Sequence, residues 1–262
     1  MTNIDGLLFL GVSHFGYQLD AADALTGMDA VGTDVAIAAP MHPHRSGFTA
    51  ANDALAEAAS KSDGRLIPLC RVDPWEGEAA IAELRRAVGE GARGLFLHPS
   101  EERFRINDDV LVRPIVECAA ELAVPVMVAA GYHLFAEPLQ LGAAAEWTPD
   151  NTFVLTNGGQ FNISGMSQFD AQLALGNANV HVHTSGMYRE DFLEGVVAKF
   201  GPERLLFATA APLFTMEYER LRVELAHFTD AEAELILGGN TARIFGVGSG
   251  VGSGVGSSEV IV

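Results

Sequence analysis

The chain has 262 residues, 48% of them apolar, which suits one large core of the size common to single α/β barrels. Sixteen Lys and Arg stand against 34 Asp and Glu, a formal net charge of −18. That balance excludes nucleic acid and anionic membranes as partners, because both need clustered positive charge.

No run reaches about 18 uninterrupted apolar residues. The start, Met-Thr-Asn-Ile-Asp, lacks the basic and apolar regions of a signal peptide. Two cysteines, Cys70 and Cys118, make neither a disulfide framework nor a zinc quartet. A soluble, cytoplasmic protein is expected. Only 19% of the residues are charged, low enough to point to a surface partly covered by a partner.

In chain order, short apolar runs occupy residues 4–10, 34–39, 66–71, 94–98, 124–129, 152–157, 180–184 and 205–209. Amphipathic stretches lie between them, including 78–88 and 111–122. Continuous apolar runs bounded by polar turns suit strands buried on both faces, as parallel sheets require. Eight strand-then-helix units in this length predict a (β/α)8 barrel over residues 1–246. A doubly wound open sheet is the other candidate, but no Gly-x-Gly-x-x-Gly follows the first run. Residues 247–262 continue a Gly-Val-Gly-Ser repeat and end in Val-Ile-Val, the composition of a flexible tether. Removing residues 246–262 is expected to leave the melting temperature unchanged, since ordering such a tail costs about 1–2 kcal/mol per residue for little packing. A calorimetric scan of the truncated chain checks this; a fall of many degrees would show that residues 260–262 dock on the barrel.

A barrel places its active site where strands end. Ser13, His14 and Tyr17 follow the first run, and His42, His44 and Arg45 the second. Cys70, Arg71 and Asp73 end the third, with Cys70 read as a buried wall residue, and His98 ends the fourth. Tyr132 and His133 follow the fifth, and Asn157, Gly158, Gly159 and Gln160 the sixth. The seventh carries His181 and His183, then Thr184 and Ser185; the eighth ends at Thr209. Val180 and Val182 suit the helix-covered outer face, which turns His181 and His183 inward. Seven of the eight histidines thus fall on strands or the loops after them, with His227 assigned to a late helix.

Several segments in this order resemble the amidohydrolase superfamily, in its amidohydrolase-related branch of metal-dependent hydrolases and aminocarboxymuconate semialdehyde decarboxylase-like proteins. They are Arg65-Leu-Ile-Pro-Leu-Cys-Arg-Val-Asp-Pro74, Gly91-Ala-Arg-Gly-Leu-Phe-Leu-His-Pro99, Val124-Pro-Val-Met-Val128, Phe200-Gly-Pro-Glu-Arg-Leu-Leu-Phe207 and Ile236-Leu-Gly-Gly-Asn-Thr-Ala-Arg-Ile-Phe245. The resemblance covers roughly residues 4–246 and implies a TIM barrel with a divalent metal. It also implies where the ligands would stand: His-x-His on strand one, histidines after strands five and six, and an aspartate after strand eight. This chain has Leu7, Phe9, Ala129, Asn157 and Ala210 there. Leu, Phe and Ala offer no lone pair, and Asn157 offers one neutral oxygen, so no inherited metal and no cofactor is expected.

Four function classes follow. The first is a non-catalytic subunit pairing with another chain, such as a metal-bearing homologue in a hetero-oligomer. The second is a metal-independent hydrolase or decarboxylase acting on a small carboxylate or lactone. For it the candidate catalytic residues are His98, His133, His183 and Arg71, with His14, His42, His44, Tyr132, Asn157 and Thr209 around them. The third is a relocated metal site on His98, His181 and His183, which lacks a matching carboxylate. The fourth is a small-molecule binding protein without turnover.

Overall fold

The computed structural model describes residues 2–43, 47–157, 174–187 and 190–247. The strands are β1 (Ile4–Val12), β2 (Gln18–Leu19), β3 (Val35–Pro40), β4 (Leu66–Pro68), β5 (Cys70–Arg71), β6 (Leu95–Leu97), β7 (Val126–Val128), β8 (Phe153–Leu155), β9 (Val180–His183) and β10 (Leu205–Leu206). All neighbouring pairs are parallel except the β1–β2 hairpin. β4 and β5 are two halves of one strand. Leu69 N–H donates to Ala38 O on one side, and Cys70 N–H to Gly94 O on the other. β1 meets the last strand through Gly6 N–H to Phe207 O, Ala210 N–H to Leu7 O and Phe9 N–H to Ala211 O, each 2.8 Å. These bonds join the first of eight parallel strands to the eighth, the barrel that the sequence pattern predicts. Gly6 is required at this seam, because a Cβ there would stand 2.7 Å from Phe207 O.

Side chains alternate across the wall. Leu7, Phe9, Ile37, Leu69, Phe96, Met127, Val154, Leu206 and Ala208 form one interior cluster. Leu95, Leu97, Val126, Val128, Phe153, Leu155, Val180 and Val182 join an outer cluster packed on helices. Both faces are apolar, which is why the strands read as unbroken runs. The helices include α1 (Ala21–Ala30), α2 (Phe48–Ser60), α3 (Glu78–Gly89), α4 (Arg113–Glu121), α5 (Pro138–Ala145), α6 (Glu190–Phe200), α7 (Met216–Leu225), α8 (Asp230–Glu234) and α9 (Asn240–Phe245). Asp20 caps α1 by accepting from Asp23 N–H, and Thr229 and Glu232 cap α8 reciprocally.

A wide turn at 235–239 carries α8 into α9, and Phe245 joins the interior cluster beside Gly94, closing the N-terminal end of the barrel. Val247 begins the predicted tail, yet its N–H donates to Ala242 O and its side chain packs on the interior cluster. A cut that tests the tail alone therefore falls after Val247. Residues 248–262 lie outside the described residues. His227 stands in the loop between α7 and α8 rather than on a helix, because α7 stops at Leu225 and Thr229 caps α8. No described helix is long and apolar enough to cross a membrane.

Candidate active site

A cavity of about 300 Å³ opens at the C-terminal ends of the strands. Its floor is Phe9 and Met41, its walls include Tyr17, Tyr132 and Phe214, and its polar groups are Ser13, His42, Arg71, His98, Ser100 and Glu101. Phe9 stands edge-on to Phe96 with ring centroids 5.4 Å apart.

Arg71 pairs in register with Phe96, an interior residue, so it too points inward, whereas its neighbour Cys70 faces the outer layer. A buried guanidinium needs counter-charge. Glu101 and Glu102 supply it from the loop after β6. Arg71 Nη2 donates to Glu101 Oε2 and, at 2.6 Å, to Glu102 Oε1; Nε donates to Glu102 Oε1 at 3.0 Å, and Nη1 to Pro40 O at 3.1 Å. The guanidinium also lies 5.0 Å and 5.4 Å from the ring centres of Phe48 and Phe96. Burial raises the Glu102 carboxyl to about 7 against the pull of Arg71. Burial raises the Glu101 carboxyl, but the charge and hydrogen bond of Arg71 hold it below its ordinary value.

His98 follows β6 and is fully enclosed, which pushes its imidazole down to about 3 and keeps it neutral. Its Nδ1 accepts from Glu101 N–H at 3.3 Å. The ring proton therefore sits on Nε2, which faces Tyr132 Oη at 3.5 Å and Glu101 Oε1 at 3.6 Å. Burial, with Arg71 nearby, also lowers His42. His42 stacks edge-on with His14, ring centroids 4.6 Å apart.

The structure thus brings His42, Arg71, His98 and Tyr132 to one cavity, with His14 against His42. Of the other sequence candidates, Ser13 and Tyr17 also line it, and the rest stand elsewhere. His133 is an exposed loop residue whose Nδ1 lies 2.7 Å from Glu137 Oε1, drawn away from the cavity by that pairing. His181 and His183 pair in register with the interior residues Val154 and Leu206, so both point inward as the alternation predicts. His183 is wholly buried and does not line the cavity. Its Nδ1 lies 3.0 Å from Ser185 Oγ, which donates to Asn157 Oδ1 at 3.2 Å, and its Nε2 has no hydrogen-bond partner. Thr209 is wholly buried at the seam, donating to Asp5 Oδ2. Asp73 caps the turn at Trp75 N–H. His44, Arg45 and Gly158 to Gln160 lie outside the described residues.

Glu101, Glu102 and Asp5 are absent from the sequence candidates. The signal for the glutamates is Arg71 itself: an arginine at an inward strand position demands an acid within reach, and the next strand end carries two.

Leu7, Phe9, Ala129 and Ala210 converge on the interior, and Asn157 is buried with its oxygen accepting from Ser185. This set does not fit a divalent metal, because four of the five side chains have no donor atom. The relocated set fails as well: β7 and β8 separate β6, which His98 follows, from β9, and among the described residues no three His, Cys, Asp or Glu side chains could hold an ion.

The amidohydrolase family profile matches residues 6–247. Among solved structures, a 2,6-dihydroxybenzoate decarboxylase from Rhizobium superposes with TM-score 0.73 at 16% identity, covering 94% of this chain and 99% of that one. A protein described as a probable 2-pyrone-4,6-dicarboxylic acid hydrolase from Acinetobacter baumannii gives TM-score 0.75 at 16% identity, over 94% and 100%. A dihydroxybenzoic acid decarboxylase from Polaromonas sp. JS666, with bound manganese, gives 0.70 at 16%, over 94% and 97%. No curated protein matches the sequence.

Proposed function

Since this chain belongs to the amidohydrolase family, we propose that it is a metal-independent hydrolase or decarboxylase of a small cyclic carboxylate or lactone, working in the cavity between His98, Tyr132 and Glu101. The observation that carries the reading is an imidazole and a phenol, 3.5 Å apart, beside a carboxylate at the barrel mouth. Four of the five positions at which the family resemblance places metal ligands, Leu7, Phe9, Ala129 and Ala210, carry apolar side chains packed in the interior cluster, which supports a reaction without the metal.

These three groups suffice for ester chemistry. Glu101 accepts a proton from water as the water oxygen bonds to the carbonyl carbon. His98 Nε2–H and Tyr132 Oη–H stabilise the oxyanion that forms. The ring C–O bond then breaks and the leaving oxygen takes the proton from Glu101, giving a hydroxy acid. For a hydroxybenzoate the same donors can hold the ring oxygen while the ring carbon takes a proton from water and its bond to the carboxylate breaks, releasing carbon dioxide.

The test is turnover of simple lactones and hydroxybenzoates by chelator-dialysed protein. Activity is expected to survive dialysis and to fall about 10²-fold or more in His98→Leu. Activity that vanishes on chelation and returns with manganese would refute the reading. A second reading, a subunit without its own chemistry, is favoured by Tyr218, Leu221 and Leu225, an exposed apolar stripe along α7. Activity found only in a complex with a second, metal-bearing chain would select it.

A further inference from the structure

We propose that the cavity takes an uncharged ring bearing a carbonyl or hydroxyl group, a lactone rather than a carboxylate, and that Glu101 sets this choice. The inference narrows the reading above and rests on it for the location of the site.

Among the described residues lining the cavity, only Arg71 and Glu101 carry formal charge, and the two cancel. They are not equally accessible. The Arg71 side chain is 1% exposed and that of Glu101 18%, so a ligand meets the carboxylate first. Nε, Nη1 and Nη2 of Arg71 are already engaged by Glu101, Glu102 and the Pro40 carbonyl, which leaves no paired donors for a bidentate carboxylate. A second carboxyl, Glu102, shares the Arg71 guanidinium with the first. The imidazoles add no positive charge, since burial keeps His98 neutral and lowers His42. A ligand carboxylate would therefore lose its hydration and face Glu101 with no uncommitted cation among the described lining residues to compensate. An uncharged ring meets the reverse case. Phe9, Met41 and Phe214 offer apolar surface, and Tyr132 and His98 offer donors to a carbonyl oxygen.

The experiment is titration calorimetry of the full chain at low salt and pH 7.5 with three matched probes: 2-pyrone, its 5-carboxylate, and the methyl ester of that carboxylate. The two uncharged probes are expected to bind at least about tenfold more tightly than the carboxylate, from charge repulsion in a low-dielectric site. Glu101→Gln is expected to bring the carboxylate to within about threefold of the ester. Equal or tighter binding of the carboxylate, no binding of either uncharged ring, or an unchanged ratio in folded Glu101→Gln would each overturn the proposal. If that variant does not fold, the ester against the carboxylate on the unaltered chain decides, because the two differ in charge more than in shape. Product formation is read separately. Preference for the uncharged rings without hydrolysis refutes the catalytic reading and leaves this one standing; hydrolysis with preference for the carboxylate does the opposite.

Discussion

Arg71→Met is expected to destabilise the barrel by about 3–5 kcal/mol, because it strands two carboxylates that the guanidinium now neutralises. Methionine fills much of the aliphatic stem and still packs between Phe48 and Phe96, so lost charge rather than lost volume dominates. The Glu102 carboxyl, already raised to about 7, would take up a proton and recover part of the loss, while Glu101 would be left as a half-enclosed anion. Adding Glu101→Gln and Glu102→Gln to Arg71→Met is therefore expected to restore most of the stability, since a buried ion set replaced as a whole costs far less than one broken. Urea unfolding at constant m-value measures both steps. A loss below about 1 kcal/mol for Arg71→Met would show that the cluster is solvated and not held as described.

Asp5→Ala is expected to cost about 3 kcal/mol at pH 4, through three hydrogen bonds lost at one place. Asp5 Oδ1 accepts from Leu7 N–H and Thr209 N–H, and Oδ2 accepts from Thr209 Oγ1 at 2.6 Å. Asp5→Asn keeps this pattern: the amide oxygen accepts both backbone donors and the amide nitrogen donates to Thr209 Oγ1. The two variants separate by pH. Burial raises Asp5 from 3.8 to about 6 despite its hydrogen bonds. Between those values the folded chain holds a proton that the unfolded chain has released. Stability from this group is thus greatest below about pH 4 and declines as pH rises through 6, by up to about 3 kcal/mol. Asn carries no such penalty. Asp5→Asn should be near neutral in effect at pH 4 and stabilising at pH 8, and Asp5→Ala should lose most of its cost between pH 4 and pH 8, because the wild type alone carries the charge penalty there. A difference between wild type and Asp5→Asn that does not change with pH would show that Asp5 is solvated.

The strands were legible because most of the eight runs are apolar on both faces. The orientation of His181 and His183 was legible because Val180 and Val182 fix the alternation. The cavity was legible only in part. His98 and Arg71 announce themselves by strand position, but Glu101 and Glu102 sit in a polar Pro-Ser-Glu-Glu-Arg run that reads as a solvated loop. Only the burial of Arg71 draws them in. Asp5 was hidden for another reason. It lies within an apolar run, and its partner Thr209 is 204 residues away, beyond any local pattern. For His133, spacing gives the loop but not the direction of the side chain, which its contact with Glu137 decides.

The seam between β1 and the last strand has a consequence for how the chain is made. β1 leaves the ribosome first, and the residues that complete its free side arrive only around positions 207 to 211. Through most of synthesis its outer edge therefore presents unpaired backbone groups, the template on which chains mispair. β2 folds back to pair with Gly11 and Val12 alone and shields only the far end of that edge. The remainder, Gly6 to Phe9, stays open until the final strand docks. Closure is thus among the most non-local and slowest steps in the fold, and chaperone demand should concentrate in that interval of translation.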